Sequence, residues 1–200
     1  MAFADNVTLT GKHATLEPLA LSHLEDIRSA VSDGELWKLW FTMVPKPAEV
    51  QGYIERLLAQ RERGEALPFV VRNAETGRIV GSTRYLNIDA ANRRLEIGGT
   101  WYAQSVQRTG INTECKLLLL THAFETLGCI AVEFRTDWFN KRSQAAIERL
   151  GAKREGVLRN HMIMPDGRIR DTVVYSIIQN EWPGVRANLH YKLEAGGPLC

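Results

Sequence analysis

The stretch Trp101-Tyr102-Ala103-Gln104-Ser105-Val106-Gln107-Arg108-Thr109-Gly110-Ile111-Asn112-Thr113-Glu114 runs from a strand-like end through a polar turn into a helical pattern. Leu117, Leu118, Leu120, Ala123, Phe124 and Leu127 continue that pattern as a broad apolar face until Gly128 stops it. The backbone N–H groups over residues 108–113 lack intrahelical acceptors, and the helix dipole adds a fractional positive charge there, so a pyrophosphate can dock. Gly110 lets a phosphate approach closely. The same residues also read as an ordinary capped helix start with a turn glycine.

Upstream of this turn, residues 67–72, 79–86 and 93–102 are strand-like runs separated by Ala74-Glu75-Thr76-Gly77 and Asp89-Ala90-Ala91-Asn92. Both connections are short enough for hairpins, so an antiparallel meander leads into the long helix. Before the meander, residues 13–19 form a short strand. Ser22 with Glu25 makes a capping box for a helix ending near Val31, and apolar spacing from Val50 to Leu58 predicts a second helix ending at Gly64.

Downstream, residues 131–137 form a strand and residues 140–150 a helix stopped by Gly151. Residues 155–163 and 169–178 flank Pro165-Asp166-Gly167 as a final hairpin, and residues 181–191 add a short closing helix. The order βααβββαβαββ implies a mixed sheet with helices on both faces. By itself that order assigns no activity.

With 200 residues, 44% of them apolar and 24% charged, the chain has globular composition and enough length for a substantial core. A net charge of +2 gives no global pull toward nucleic acid or an anionic membrane. Arg56, Arg61, Arg63 and Arg93-Arg94 alternate with acids, which argues further against a nucleic-acid partner. The first residues lack a basic region leading into an apolar one, and no apolar run spans a bilayer, so the expected location is cytoplasmic and no membrane partner is expected.

Cys115, Cys129 and Cys200 show no paired spacing and read as free thiols, with Cys115 a packing residue inside the long helix. The five histidines form no ligand cluster, so no metal is expected.

A second segment, Asp137-Trp138-Phe139-Asn140-Lys141-Arg142-Ser143-Gln144-Ala145-Ala146-Ile147-Glu148-Arg149-Leu150-Gly151-Ala152, follows the turn in order. Together the two segments resemble the GNAT superfamily of N-acetyltransferases, in particular its RimJ/RimL-like branch of ribosomal-protein N-terminal acetyltransferases, over roughly residues 10–180. Gln107 and Gly110 match the first two key positions of that family's (Arg/Gln)-x-x-Gly-x-(Gly/Ala) coenzyme A loop, while Asn112 departs from the small third residue.

The resemblance implies an α/β (α+β) GNAT-like fold: a mixed, mostly antiparallel twisted sheet with helices on both faces. It implies one domain over residues 1–192, with residues 193–200 a flexible tail. It further implies acetyl-CoA as cosubstrate and direct attack by a primary amine in a ternary complex. The acceptor is expected to be a protein N-terminus, with small amines and antibiotic amines open. A non-catalytic acyl-CoA sensor or interaction module is the reading from another class.

For the cofactor the resemblance designates Trp101, Gln107, Arg108, Thr109, Gly110, Ile111, Asn112, Thr113, Asn140 and Ser143. The backbone around Gly98 to Trp101 would pair with the pantetheine amides where strands splay. Asn140 also reads as an N-cap. Many relatives carry a tyrosine acid seven residues after that asparagine, where this chain has Ile147, so Ser143 becomes the candidate proton donor to the departing thiolate. Lys141 and Arg142 read either as phosphate contacts or as solvated charges.

Glu96, opposite in direction to Leu95 and Ile97 on its strand, matches a carboxylate that similar enzymes use to deprotonate the amine. It reads equally as a cross-strand partner of Arg94 or another basic residue. Trp37, Trp40, Phe41 and Tyr85 are candidate acceptor-site walls, as are Tyr102 and Tyr175, although core burial is the commoner fate of such residues. Homo-oligomerisation through the amino-terminal aromatics or the final hairpin stays open.

Overall fold

A computed structural model describes residues 5–195. Eight strands form one sheet: β1 Leu9–Thr10, β2 Ala14–Pro18, β3 Ala66–Asn73, β4 Ile79–Asp89, β5 Arg94–Tyr102, β6 Ala131–Asp137, β7 Lys153–Ile163 and β8 Ile169–Ile178. Their spatial order is β1-β2-β3-β4-β5-β6-β8-β7, antiparallel throughout except for the parallel pair β5 and β6. Five helices complete the fold: α1 Leu24–Ser32, α2 Val50–Glu62, α3 Gly110–Thr121, α4 Lys141–Leu150 and α5 Trp182–Glu194. The mixed, mostly antiparallel sheet with helices on both faces is the architecture expected from the sequence.

Alternation along the strands divides the molecule into two apolar clusters. Leu67, Phe69, Tyr85, Leu95, Ile97, Phe134 and Tyr175 face α3 and α5 on one side of the sheet. Val70, Ile79 and Trp101 face α1 and α2 on the other. Glu114 ties α3 to the entrance of β2: its carboxylate accepts the backbone N–H groups of Lys12, His13 and Ala14 at 2.8, 2.6 and 2.8 Å. A Cβ on Gly11 would stand 2.4 Å from Glu114 Cδ, so the bare backbone of Gly11 makes room for this anchor.

Several boundaries differ from the sequence reading. The chain enters α1 through a single 3-10 turn, Leu21–His23, and the N–H of Ala20 donates to His23 Nδ1 at 3.2 Å. Ser22 is exposed and Glu25 pairs with Arg28, so the expected Ser22–Glu25 capping box does not form. The long helix leaves α geometry at Thr121 and closes with a π turn over His122–Thr126. Helix α5 continues to Glu194 because Leu193 packs on the core, so a tail beginning at residue 193 starts too early. Residues 196–200, including Cys200, lie outside the described residues.

Candidate active site

Strands β5 and β6 pair at only three positions, Arg94↔Ala131, Leu95↔Val132 and Glu96↔Glu133, and splay from Ile97 and Phe134 onward. The bend has a local cause. The β4–β5 register shifts between Ser82↔Trp101 and Arg84↔Gly98, and Gly99 takes φ 57° within that irregularity. A cavity of about 1330 Å³ fills the opening, from the start of α3 across the splayed strands to the loop preceding α2. Pockets for one drug-sized ligand run to roughly 300–1,000 Å³, and this space exceeds that range.

At one end of the cavity lies the turn into α3. Arg108 adopts φ 63°, and Thr109 caps the helix, its Oγ1 donating to Val106 O at 2.7 Å and accepting the N–H of Ile111 at 3.4 Å. Gln107, Arg108, Thr109, Gly110, Asn112 and Thr113 line the cavity. Ile111 does not: it is 5% exposed and packs into the core, leaving only its backbone near the site.

The Gln107 side chain braces the turn, donating to Tyr102 O at 3.1 Å and accepting from Arg142 Nη2 at 3.1 Å. Gly110 has ordinary room for a Cβ, with His13 Cδ2 at 3.4 Å and Leu193 Cδ2 at 3.6 Å, so no steric demand fixes glycine there. Arg142 and Lys192 join the lining, whereas Lys141 turns away and lies 4.1 Å over the Trp138 ring.

Sequence reasoning missed Lys116. It is buried against the same cavity, its Nζ donates to Thr100 Oγ1 at 2.8 Å, and burial pulls its pKa down to about 8. A lysine inside an apolar helical run carries a readable signal, since such a residue is almost never fully buried without a partner. Burial acts oppositely on neighbouring Cys115, pushing the thiol up to about 12, which removes it as a nucleophile. Loose N–H groups, surrounding cations and a polar turn fit a diphosphate-bearing cosubstrate such as acetyl-CoA.

Helix α4 supplies the opposite wall. Asn140 is its N-cap, Oδ1 accepting the N–H of Ser143 at 3.0 Å, which leaves the amide Nδ2 free to donate elsewhere. Asn140, Ser143 and Ile147 all line the cavity. Ile147 is a buried aliphatic wall and offers no acid.

Glu96 does not line the cavity directly. Its carboxylate sits against Gly98, which does: a Cβ there would lie 2.8 Å from Glu96 Oε1. Asn87 Nδ2 donates to Glu96 Oε2 at 2.7 Å, and Arg135 Nε stands 3.5 Å away. Burial raises the Glu96 pKa, opposed by Arg135 and by the Asn87 hydrogen bond. Arg94 pairs with Glu133, but Arg135 on the neighbouring strand β6 stands 3.5 Å from Glu96, so the cross-strand reading holds with Arg135 as the partner.

The expected aromatic walls are mostly elsewhere. Tyr85 is wholly buried and donates to Leu119 O at 2.7 Å, because it lies on the core face of β4. Trp37 packs against the α1–α2 cluster. Trp40 is 50% exposed, edge-on to Phe41 and beside Phe139, outside the lining. Phe41 and Trp101 do line the cavity, with Trp101 Nε1 donating to Tyr53 OH at 3.4 Å. Of the other two tyrosines, Tyr102 lines it and Tyr175 packs in the core.

Among the described residues no group of His, Cys, Asp and Glu side chains is placed to hold a metal ion, and no helix is long and apolar enough to cross a membrane. A family profile for the acetyltransferase (GNAT) domain matches residues 13–153. YdaF of Bacillus subtilis (strain 168), provisionally named a ribosomal N-acetyltransferase, is 29% identical over 147 residues, 72% of this chain and 79% of its own. A crystal structure from T. thermophilus, provisionally named an acetyltransferase, superposes with TM-score 0.83 at 35% identity, covering 95% of this chain and 98% of that one. The structure of a GCN5-related N-acetyltransferase from Brucella melitensis gives TM-score 0.85 at 27% identity, covering 95% and 86%.

Proposed function

From the premise that this chain belongs to the GNAT acetyltransferase family, whose members use acetyl-CoA, we propose that it moves the acetyl group onto the α-amine of a protein N-terminus, both substrates being bound at once. The observation that carries this reading is the single cavity running from the α3 turn through the β5–β6 splay to Gly98, directly over Glu96.

In this scheme the turn at residues 107–113, with Arg108 and Arg142, holds the diphosphate of acetyl-CoA. Backbone groups of residues 98–101 on β5, left without β6 partners, receive the pantetheine amides, and Asn140 Nδ2 donates to the same arm. The neutral amine attacks the thioester carbonyl, forming the C–N bond as the C–S bond breaks. The amine proton passes through water to Glu96, and Ser143 Oγ hydrogen-bonds the departing thiolate, passing it a proton while taking one from water, so that Ser143 ends neutral; Glu96 then returns its proton to solvent. No covalent enzyme intermediate is needed.

An α-amine, with pKa about 7.7–8.0, is partly neutral near pH 7, whereas a lysine amine near 10.4 is not, so a carboxylate reached through water suffices for an N-terminus. YdaF, named for ribosomal N-acetylation, supports a protein acceptor. Mass spectrometry of N-terminal peptides and of α-blocked lysine peptides after incubation with acetyl-CoA tests the choice. Acetylation confined to free α-amines supports it, while turnover of lysine or small amines alone moves the assignment to a side-chain or small-amine acetyltransferase.

A further inference from the structure

Six charged side chains meet on the sheet face that carries Glu96: Arg84 on β4, Glu96 on β5, Arg135 and Asp137 on β6, Arg168 just before β8, and Arg170 on β8. Four guanidinium groups thus face two carboxylates. Glu133, the nearest further acid, is divided between Arg94 Nη2 and Arg135 Nη2 at 2.9 Å. Asp137 is itself engaged, accepting the N–H of Phe139 at 2.8 Å and Arg168 Nη1 at 3.2 Å, with Arg170 Nε at 3.9 Å.

The donors of this cluster are under-used. The Nε atoms of Arg84, Arg135, Arg168 and Arg170 are all buried without a hydrogen-bond partner among the described residues. Arg170, with its side chain only 10% exposed, lines the cavity together with Arg84 and Arg135. Buried donors are rarely left unpaired; three of these four, on Arg84, Arg135 and Arg170, border the cavity, with Arg135 Nε 3.5 Å from Glu96 Oε2, and the set points to an acceptor of hydrogen bonds that enters the opening. Arg84 is held in place by sterics: its guanidinium lies over Gly99, where a Cβ would stand 2.7 Å from Cζ.

We propose that this arginine array binds a carboxylate of the acceptor, a few bonds from the attacked amine. The proposal rests on the N-acetyltransferase reading and narrows its substrate class. The array surrounds Glu96, which takes the amine proton through water, so amine and carboxylate must be close neighbours in one molecule. Guanidinium forks match carboxylate geometry bidentately. Two sources present that chemistry: an acidic side chain within the first two residues of a protein N-terminus, and the α-carboxylate of a free amino acid.

The test compares thiol release from acetyl-CoA with the amidated peptides Ser-Asp-Gly-Gly and Ser-Asn-Gly-Gly, and with serine against serinamide. Hydrogen bonds to a charged group lead us to expect kcat/KM roughly tenfold to a hundredfold higher for the acid in at least one pair. The pair that shows it identifies the source. In Arg84→Gln and Arg170→Gln that preference falls toward about one. Arg84→Gln is the safer variant for folding, since its Nε leaves no protein partner behind.

Calorimetric titration of the N-acetylated Asp and Asn peptides onto the CoA-loaded protein reads the same discrimination without turnover. Preferential binding of the acidic product with no thiol release from any acceptor would keep the carboxylate site and remove the transferase reading. Equal rates or equal binding for acid and amide would overturn the carboxylate site while leaving transfer intact.

Discussion

Glu96 Oε1 lies where the side chain of an alanine at position 98 would press on it: a Cβ built on Gly98 stands 2.8 Å from that oxygen and 2.8 Å from Leu86 Cδ1. Gly98→Ala is therefore expected to push the Glu96 carboxylate off its place and lower kcat while leaving acetyl-CoA affinity near the parent value. Glu96→Gln removes the base and should cost an α-amine acceptor less than the roughly 10²-fold that a required general base supplies, because part of that amine is already neutral near pH 7. Because burial raises the Glu96 pKa and the base acts deprotonated, the acid limb of the kcat/KM profile belongs above the ordinary glutamate value of about 4.3. Beneath the limb of the amine itself near ~7.7–8.0, which every variant shares, the Glu96 limb should vanish in Glu96→Gln; a profile unchanged there assigns it to another group.

Burial pulls the Lys116 pKa down to about 8, and the start of α3 is about 9 Å along the helix axis from it at 1.5 Å per residue. The phosphates of acetyl-CoA should re-protonate it, so binding at about pH 8.5 takes up a proton, seen as a heat that depends on the ionisation enthalpy of the buffer. Lys116→Met abolishes that dependence. Without ligand the folded pKa lies below the unfolded value of ~10.4, so stability should rise as pH climbs from about 8 toward ~10.4, and lose this rise in the variant. Buffer-independent heats in the parent protein would count against the assignment.

Asn140 serves α4 as an N-cap through Oδ1 and is proposed to serve the cosubstrate through Nδ2. Asn140→Ala should lower stability by about 1 kcal/mol and weaken acetyl-CoA binding. Asn140→Asp retains the cap and its stability but loses the donor, so only binding weakens. Asn140→Asp with acetyl-CoA binding unchanged by calorimetry and stability unchanged in urea would reduce Asn140 to a cap.

Gly99 combines φ 57° with the approach of Arg84, whose Cζ would be 2.7 Å from a Cβ. Gly99→Ala is expected to cost about 1–2 kcal/mol in urea unfolding from the left-handed conformation alone, with the displacement of Arg84 adding to it. A stability equal to the parent's would mean that the β4–β5 bulge relaxes without strain.

The turns proposed to hold the cofactor were legible because each is continuous in sequence. Residues 107–113 and 140–143 each form one turn, and the loss of backbone partners at a helix start follows from local chemistry alone. Strands 131–137 and 169–178 were placed at their observed limits because their β-branched and apolar runs are bounded by the turn residues Gly128 and Pro165-Asp166-Gly167.

The acceptor side was not readable. Arg84, Arg135, Arg168 and Arg170 are separated by up to five intervening strands and helices, and each alone reads as a solvated charge; only the β6–β8 register and the β4–β5 bulge bring them together. Trp40 and Tyr85 misled for the converse reason. Which way an aromatic points depends on strand face and loop path, and Tyr85 falls on the core face of β4.

The most direct measurement is calorimetric titration of the protein with acetyl-CoA, followed in the same preparation by thiol release on adding an N-terminal peptide. Saturable binding, with one thiol released per N-acetylated peptide found by mass spectrometry, is the expected result. Absence of acetyl-CoA binding, or binding without thiol release across α-amine, lysine and small-amine acceptors, would contradict the assignment of this cavity to acetyl transfer.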